Sequence, residues 1–251
     1  MSKFLVCGFS FLVMGVALAQ DARHIVEESE NRARSKSQRY EGTLEAIGSS
    51  NKASLKRWTY ERLGSSAASK SILRFTAPDA IKGLALLIIN HAGRPSDQWM
   101  WTPAIERERR IGVQDRSTRF FGTDFSFEDL DERDVNQSDY KMLDEDTIDG
   151  ARCWKIESTP KQSQSSQYTS STLSIRKDNY VMAQVENYSK DKLVRRIHYS
   201  DIQKVDNIWT PRRVEVFDAV RNSRTVLKLE RLQYNLPLKD EDFTIEALRR
   251  E

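Results

Sequence analysis

Residues 169–235 read TSSTLSIRKDNYVMAQVENYSKDKLVRRIHYSDIQKVDNIWTPRRVEVFDAVRNSRTVLKLERLQYN. Within them, segments 169–176, 181–189, 193–203, 212–218 and 225–235 read as strands, with apolar and polar side chains alternating at period two. The joints between them are short and polar: Lys177-Asp178-Asn179, Lys190-Asp191-Lys192, Asp206-Asn207 and Arg221-Asn222. Parallel neighbours need crossovers of about a dozen residues or more, so strands joined this tightly pair antiparallel, as a meander. Residues 152–158 add a further strand upstream, and a single, strongly curved antiparallel sheet follows as the architecture.

The first half keeps the same rhythm less regularly. Segments 55–63, 71–76, 84–90 and 98–102 read as strands, with Trp58 and Tyr60 sharing a face of the first. They are punctuated by Gly64-Ser65-Ser66, Ala77-Pro78-Asp79 and His91-Ala92-Gly93-Arg94-Pro95. The run 83–89 is apolar on both faces and must be covered on each side, by helices over one face or as the central strand of a closed core. Ahead of the strands, 21–38 is polar and rich in helix formers; Ala22, Ile25, Val26 and Ala33 form a weak apolar stripe, with Asp21 as cap. Residues 125–143 break the strand rhythm, and Ser126 followed by Glu128 and Asp129 suits the start of a short helix. The Gln/Ser-rich stretch 160–166 reads as an exposed loop. No solenoid repeat and no long linker divides the chain.

Residues 1–19 carry one early cation, Lys3, an apolar run, and Ala17-Leu18-Ala19 before Gln20, the pattern of a secretory signal peptide cleaved after Ala19. The apolar run is too short for a membrane span, and Cys7 lies inside it without the small neighbour that an acylated lipoprotein cysteine needs. The expected organisation is therefore a signal peptide, 1–19, and one domain, 20–251, exported to the periplasm. Cleavage leaves Cys153 alone, so no intrachain disulfide forms and the fold must be held by its core. Cys153, beside Trp154 in a strand-like stretch, reads as a buried, inert thiol. Charged residues make up 31% of the chain but nearly balance, with a net charge of +3, and nothing in that requires a nucleic-acid partner.

Segment 97–130, DQWMWTPAIERERRIGVQDRSTRFFGTDFSFEDL, concentrates large rings interrupted by fixed polar residues. Arg107, Arg109 and Arg110 read as a solvated strand face or as partners of Glu106 and Glu108, with contact to phosphates or lipid head groups as the other reading. Asp124, Glu128 and Asp129 are close enough in sequence to suggest paired catalytic carboxylates. Beside the turn at Gly122, acids are more often caps and salt-bridge partners, here for Arg107, Arg109, Arg110 or Arg119. His24, His91 and His198 show no metal-ligand spacing, and no nucleophile elbow, phosphate loop or dinucleotide fingerprint is present. No enzyme activity, cofactor or metal is expected.

Three motifs carry a resemblance. Pro78-x-x-x-Lys82-Gly83-x-Ala85-Leu86-Leu87, then Gln98-Trp99-Met100-Trp101-x-Pro103-Ala104 with Arg109-Arg110-Ile111, and then Gly122-Thr123-Asp124-Phe125-Ser126-Phe127-Glu128-Asp129-Leu130 resemble the outer-membrane lipoprotein-sorting proteins of the LolA-like group. The ending, Leu232-Gln233-Tyr234-Asn235-x-x-Leu238-x-Asp240-x-x-Phe243-Thr244, is similar to that family's closing strand and short helix. The resemblance covers most of the chain after residue 19.

The resemblance implies a mainly β fold: a strongly curved antiparallel sheet forming a half-open β-barrel with a helical lid. Its apolar hollow would carry lipid or lipoprotein acyl chains through the periplasm toward the outer membrane, with an inner-membrane efflux-type transporter as partner and transient contact with a membrane surface. Shielding an acyl chain in water requires such a hollow, at about 0.8 kcal/mol per buried methylene. The residues expected to line or border it are Trp58, Tyr60, Leu86, Ile88, Trp99, Trp101, Phe120 and Phe125. Each of these also suits ordinary core packing. Gly122, Asp124, Glu128 and Asp129 are expected to shape the rim. Two other functions fit the sequence: a periplasmic lipid-sensing adaptor or regulator, and an envelope hydrolase built on the acids.

Overall fold

A computed structural model describes residues 10–162 and 165–250, with side chains from Asp21 onward. Helix α1 spans Ser10–Arg32, and thirteen strands follow. They are β1 (Ser37–Ile47), β2 (Ala53–Leu63), β3 (Lys70–Ala77), β4 (Ala85–His91), β5 (Arg94–Thr102), β6 (Arg107–Ile111) and β7 (Ser138–Ile148), then β8 (Ala151–Pro160), β9 (Ser170–Arg176), β10 (Met182–Ser189), β11 (Lys192–Val205), β12 (Ile208–Asp218) and β13 (Ser223–Tyr234). A one-turn helix, α2 (Ile245–Leu248), closes the described chain.

All thirteen strands form one curved, unclosed antiparallel sheet in the order β6-β5-β4-β3-β2-β1-β13-β12-β11-β10-β9-β8-β7. Each half is a meander, and the pairing of β1 with β13 joins the halves in the middle of the sheet. The edges are β6 and β7. Both expose charge, with Arg107, Arg109 and Arg110 on one and Lys141, Asp144 and Glu145 on the other, which discourages edge-to-edge pairing with another chain. The arginines of β6 take acids outside the strand: Arg110 bonds Asp97, and Arg109 lies 3.9 Å from Asp115. Glu108 is instead held by Arg249, at 2.9 Å.

The meander expected over 152–235 is present, with strand ends moved by a few residues. Upstream, four elements differ from the sequence expectation, one of them β1, a strand that none of the segments read as strands includes. Residues 1–9 lie outside the described residues, and with them the first part of the expected signal peptide. From Ser10 the backbone is helical through to Arg32, so Asp21 lies within α1 and is not its cap. The helix stops short of residue 38 because Ser37 already belongs to β1, where its hydroxyl donates to Leu236 O at 2.8 Å. The segment 125–143, expected as a break throughout, becomes β7 from Ser138; its exposed, charged edge position hides the alternation. The short helix expected at 126–130 is a single 3-10 turn over Glu128–Leu130.

Packing divides between the two faces of the sheet. The concave face holds the main core, including Leu44, Trp58, Leu73, Phe75, Leu86, Ile88, Ile156, Leu173, Val185 and Leu227. Helix α1 lays Ala22, Ile25 and Val26 into it, a spacing that puts all three on one helical face, against β7 and β9. The connection from β6 to β7 adds Phe120, Phe125 and Phe127. On the convex face, Ile72, Ala85 and Leu87 pack with Phe243, Ala247 and Leu248. β4 is therefore apolar on both faces because the C-terminal turn and α2 cover the side turned away from the main core. Cys153 is buried, and its burial pushes the thiol pKa upward.

Candidate functional site

The concave face is not completely filled. A cavity of about 630 Å³ lies between the sheet, α1 and the 112–137 connection. Its wall is built from alternate positions of successive strands: Tyr40 on β1, Trp58 and Tyr60 on β2, Leu73 on β3 and Ile88 on β4. From the other half come Leu173, Met182, Val185, Tyr199, Val214, Leu227 and Leu229. Tyr40 and Tyr60 stack with ring centroids 4.8 Å apart. Burial pushes the Tyr60 hydroxyl up to about 12, so it stays protonated.

Of the eight apolar residues expected to line this space, Trp58, Tyr60, Ile88 and Phe125 do. Leu86 and Phe120 belong to the packed core beneath it. Phe120 stacks on Phe75 at 5.5 Å and lies 6.2 Å from Trp58, closing the aromatic cluster with Phe121 and Phe127. Trp99 and Trp101 are elsewhere. They face the convex side and pack with the Leu87, Phe243 and Leu248 cluster, so their expected place in the wall is corrected. The reason is strand parity: in β5, Gln98 and Met100 point to the concave side, and their neighbours must point away. Tyr40, Leu73 and the wall residues of the second half were missed, although the alternation of their strands marked them as inward-facing.

The rim residues have specific jobs. Gly122 takes a positive φ of 71°, which turns the chain between Phe121 and Thr123. Asp124 is buried and accepts hydrogen bonds from Ser223 Oγ at 2.6 Å and Thr225 Oγ1 at 2.8 Å, besides pairing with Arg119. It thereby ties the β6–β7 connection to β13. Glu128 accepts from the backbone N–H of Gln167 at 3.0 Å and from the Ser166 hydroxyl. Asp129 is fully buried. It accepts from Ser126 N–H and Oγ, both at 2.7 Å, and from the Tyr168 hydroxyl at 2.7 Å, and it pairs with the buried Arg195. Three acids so occupied act as fasteners of the connection. Arg119 is the one partner anticipated among the arginines; Arg195, distant in sequence, carried no signal.

The polar part of the cavity lining is charged in both signs. Arg62, 5% exposed, stands two residues beyond Tyr60 on the same face of β2. Its guanidinium donates to Gly64 O at 2.7 Å, Ser65 Oγ at 2.9 Å and Ser35 Oγ at 3.1 Å, and lies 3.2 Å from Glu132. Arg116, also buried, pairs with Asp131 at 3.0 Å. Burial raises the pKa of both Asp131 and Glu132. On α1, Glu30 is raised to about 7 by burial, and the nearby Asp134, Glu132 and Glu27 add to the effect. Among the described residues no cluster of His, Cys, Asp and Glu is arranged to hold a metal ion, and no helix is long and apolar enough to cross a membrane.

A family model described as "Uncharacterized protein" matches residues 67–250. The chain belongs to that family. Solved structures share the fold of this chain. A DUF1329 family protein from Desulfovibrio piger is 25% identical, covering 92% of this chain and 99% of that one, with a TM-score of 0.88. A protein from Vibrio parahaemolyticus described as an outer membrane lipoprotein-sorting protein domain is 21% identical, with 92% and 100% covered and a TM-score of 0.87. A LolA superfamily protein from Nitrosomonas europaea is 20% identical, with 90% and 98% covered and a TM-score of 0.71. The chain thus has the LolA-like fold expected from the motifs. No curated protein matches the chain.

Proposed function

We propose that this protein is a periplasmic carrier that takes an acyl chain of a lipid or lipoprotein into the concave cavity and moves it toward the outer membrane. The observation that carries the reading is the cavity: about 630 Å³ of space with an apolar wall, held open on a sheet that otherwise packs tightly. At about 30 Å³ per water-sized group, this is room for roughly 20 such groups, close to one long acyl chain. In this reading the sheet is a half-open barrel, α1 and the 112–137 connection are its lid, residues 1–19 are a cleaved signal, and 20–251 is one lipid-binding domain. An inner-membrane efflux-type transporter is the proposed partner. The likeness of the fold to a lipoprotein-sorting domain and to a LolA superfamily protein supports the reading.

Mass spectrometry of lipids that co-purify with the protein from its native envelope tests it, together with titration of a fluorescent fatty acid. Recovery of an acylated species and saturable binding are expected. Absence of both sinks the carrier reading.

A further inference from the structure

The inward face of β2 runs Trp58, Tyr60, Arg62, so an arginine stands in line with the apolar wall of the cavity. Burying a guanidinium is unfavourable unless its donors and its charge are both met. Arg62 meets each only in part. Among the described residues its Nε is buried without an acceptor. Three of its contacts are neutral oxygens, from Gly64, Ser65 and Ser35. Its carboxylate partner among the described residues, Glu132 at 3.2 Å, is shared with the backbone N–H of Ser66, to which it is closer, at 2.6 Å. Burial also works against the ionised form of Glu132.

We propose that the cavity takes a single-chain phospholipid-type amphiphile whose phosphate displaces Glu132 from Arg62 while the acyl chain lies along Trp58, Tyr60 and Ile88. This rests on the carrier reading and names the head group it selects. A phosphate presents several acceptor oxygens to one guanidinium, which suits a planar donor fork with an unused N–H. Glu30 and Asp134 line the same cavity, and Glu30 feels the charges of both Asp134 and Glu132. Such a group of acids favours a head that carries an ammonium beyond its phosphate over one that is purely anionic, so a phosphoethanolamine head fits better than a phosphoglycerol head.

The test is calorimetric titration of the full chain with four probes below their micelle thresholds. These are palmitoyl lysophosphatidylethanolamine, palmitoyl lysophosphatidylglycerol, monopalmitoylglycerol and the chainless glycerophosphoethanolamine. The first is expected to bind about tenfold tighter than monopalmitoylglycerol, the increment of one charge-assisted hydrogen bond. Lysophosphatidylglycerol is expected in between, and glycerophosphoethanolamine is expected not to bind. Arg62→Gln should remove the preference for phosphate, lowering affinity for lysophosphatidylethanolamine about tenfold more than affinity for monopalmitoylglycerol. Glu132→Gln should tighten binding of both phospholipids, and it keeps the test decisive if Arg62→Gln fails to fold. Equal affinity for lysophosphatidylethanolamine and monopalmitoylglycerol, or looser phospholipid binding by Glu132→Gln, would overturn the head-group assignment and leave the cavity reading standing. Lysophosphatidylglycerol binding as tightly as its ethanolamine counterpart would overturn the ammonium half. Binding of glycerophosphoethanolamine as tight as that of the lipid would make this a soluble phosphoester site and overturn the proposal. Failure of every acylated probe would overturn the carrier reading as well.

Discussion

The indole of Trp58 lies flat against the backbone of Gly42, its cross-strand partner on β1, so closely that a Cβ at Gly42 would overlap the indole Nε1. The largest side chain of the cavity wall owes its place to the smallest residue of the neighbouring strand. Gly42→Ala forces the ring toward the cavity. Overpacking of this kind destabilises by about 1–3 kcal/mol, and the displaced ring should lower the capacity for a fluorescent fatty acid. Urea denaturation and ligand titration of the variant measure the two effects; wild-type values in both would show that the wall yields freely.

The placement of the two β5 tryptophans separates wall from scaffold. Tyr60→Ala should weaken binding of a fluorescent fatty acid by about tenfold or more, the loss of a large apolar contact. Trp101→Ala should leave that affinity unchanged and lower the melting temperature, because its ring packs with the cluster around Phe243 and Leu248. Loss of binding in a folded Trp101→Ala protein would contradict the convex placement.

Glu30 makes the seating of α1 sensitive to pH. Its folded-state pKa is raised from 4.5 to about 7, so the folded chain holds a proton there that the unfolded chain releases. The stability so contributed is complete below 4.5 and is lost as pH rises through about 7. Hydrogen exchange of the α1 amides should slow when pH falls from about 8 to about 6, after correction for the intrinsic exchange rate. In Glu30→Gln that change should flatten, and an undiminished change would assign it to another group.

Asp129 and Arg195 form a buried pair, with side-chain exposures of 0% and 7%. Removing Asp129 leaves the buried Arg195 with the more distant Asp218, 3.9 Å away, so Asp129→Asn should destabilise by up to about 3 kcal/mol. Asp129→Asn with Arg195→Met should recover part of that loss in denaturant unfolding. A single variant as stable as the wild type would remove Asp129 from the scaffold and reopen a chemical role for it.

Much of the fold could be read directly because alternation is a local property of the chain. The strands from 169 to 235, joined by short polar turns, leave no route but an antiparallel meander, and the inward faces of β9, β10 and β13 follow from the same pattern. At β7 the pattern fails because the strand lies at an edge: it exposes Lys141, Asp144 and Glu145, and with little buried on either side there is no alternation to read.

Tertiary structure alone decided which apolar face is the hollow one. In β5, alternation puts Trp99 and Trp101 on one face, but their hydrophobicity does not say which face that is. The choice was made by Phe243 and Leu248, more than a hundred residues along the chain, which cover the convex side and bury them there. The same holds for Arg62 and Glu132, and for Asp129 and Arg195, pairs brought together only when the β6–β7 connection folds over the sheet. Sequence determines what each strand can bury, through the geometry of its own backbone. What lies opposite depends on long-range closure, and so the cavity and its charged lining are properties of the folded chain.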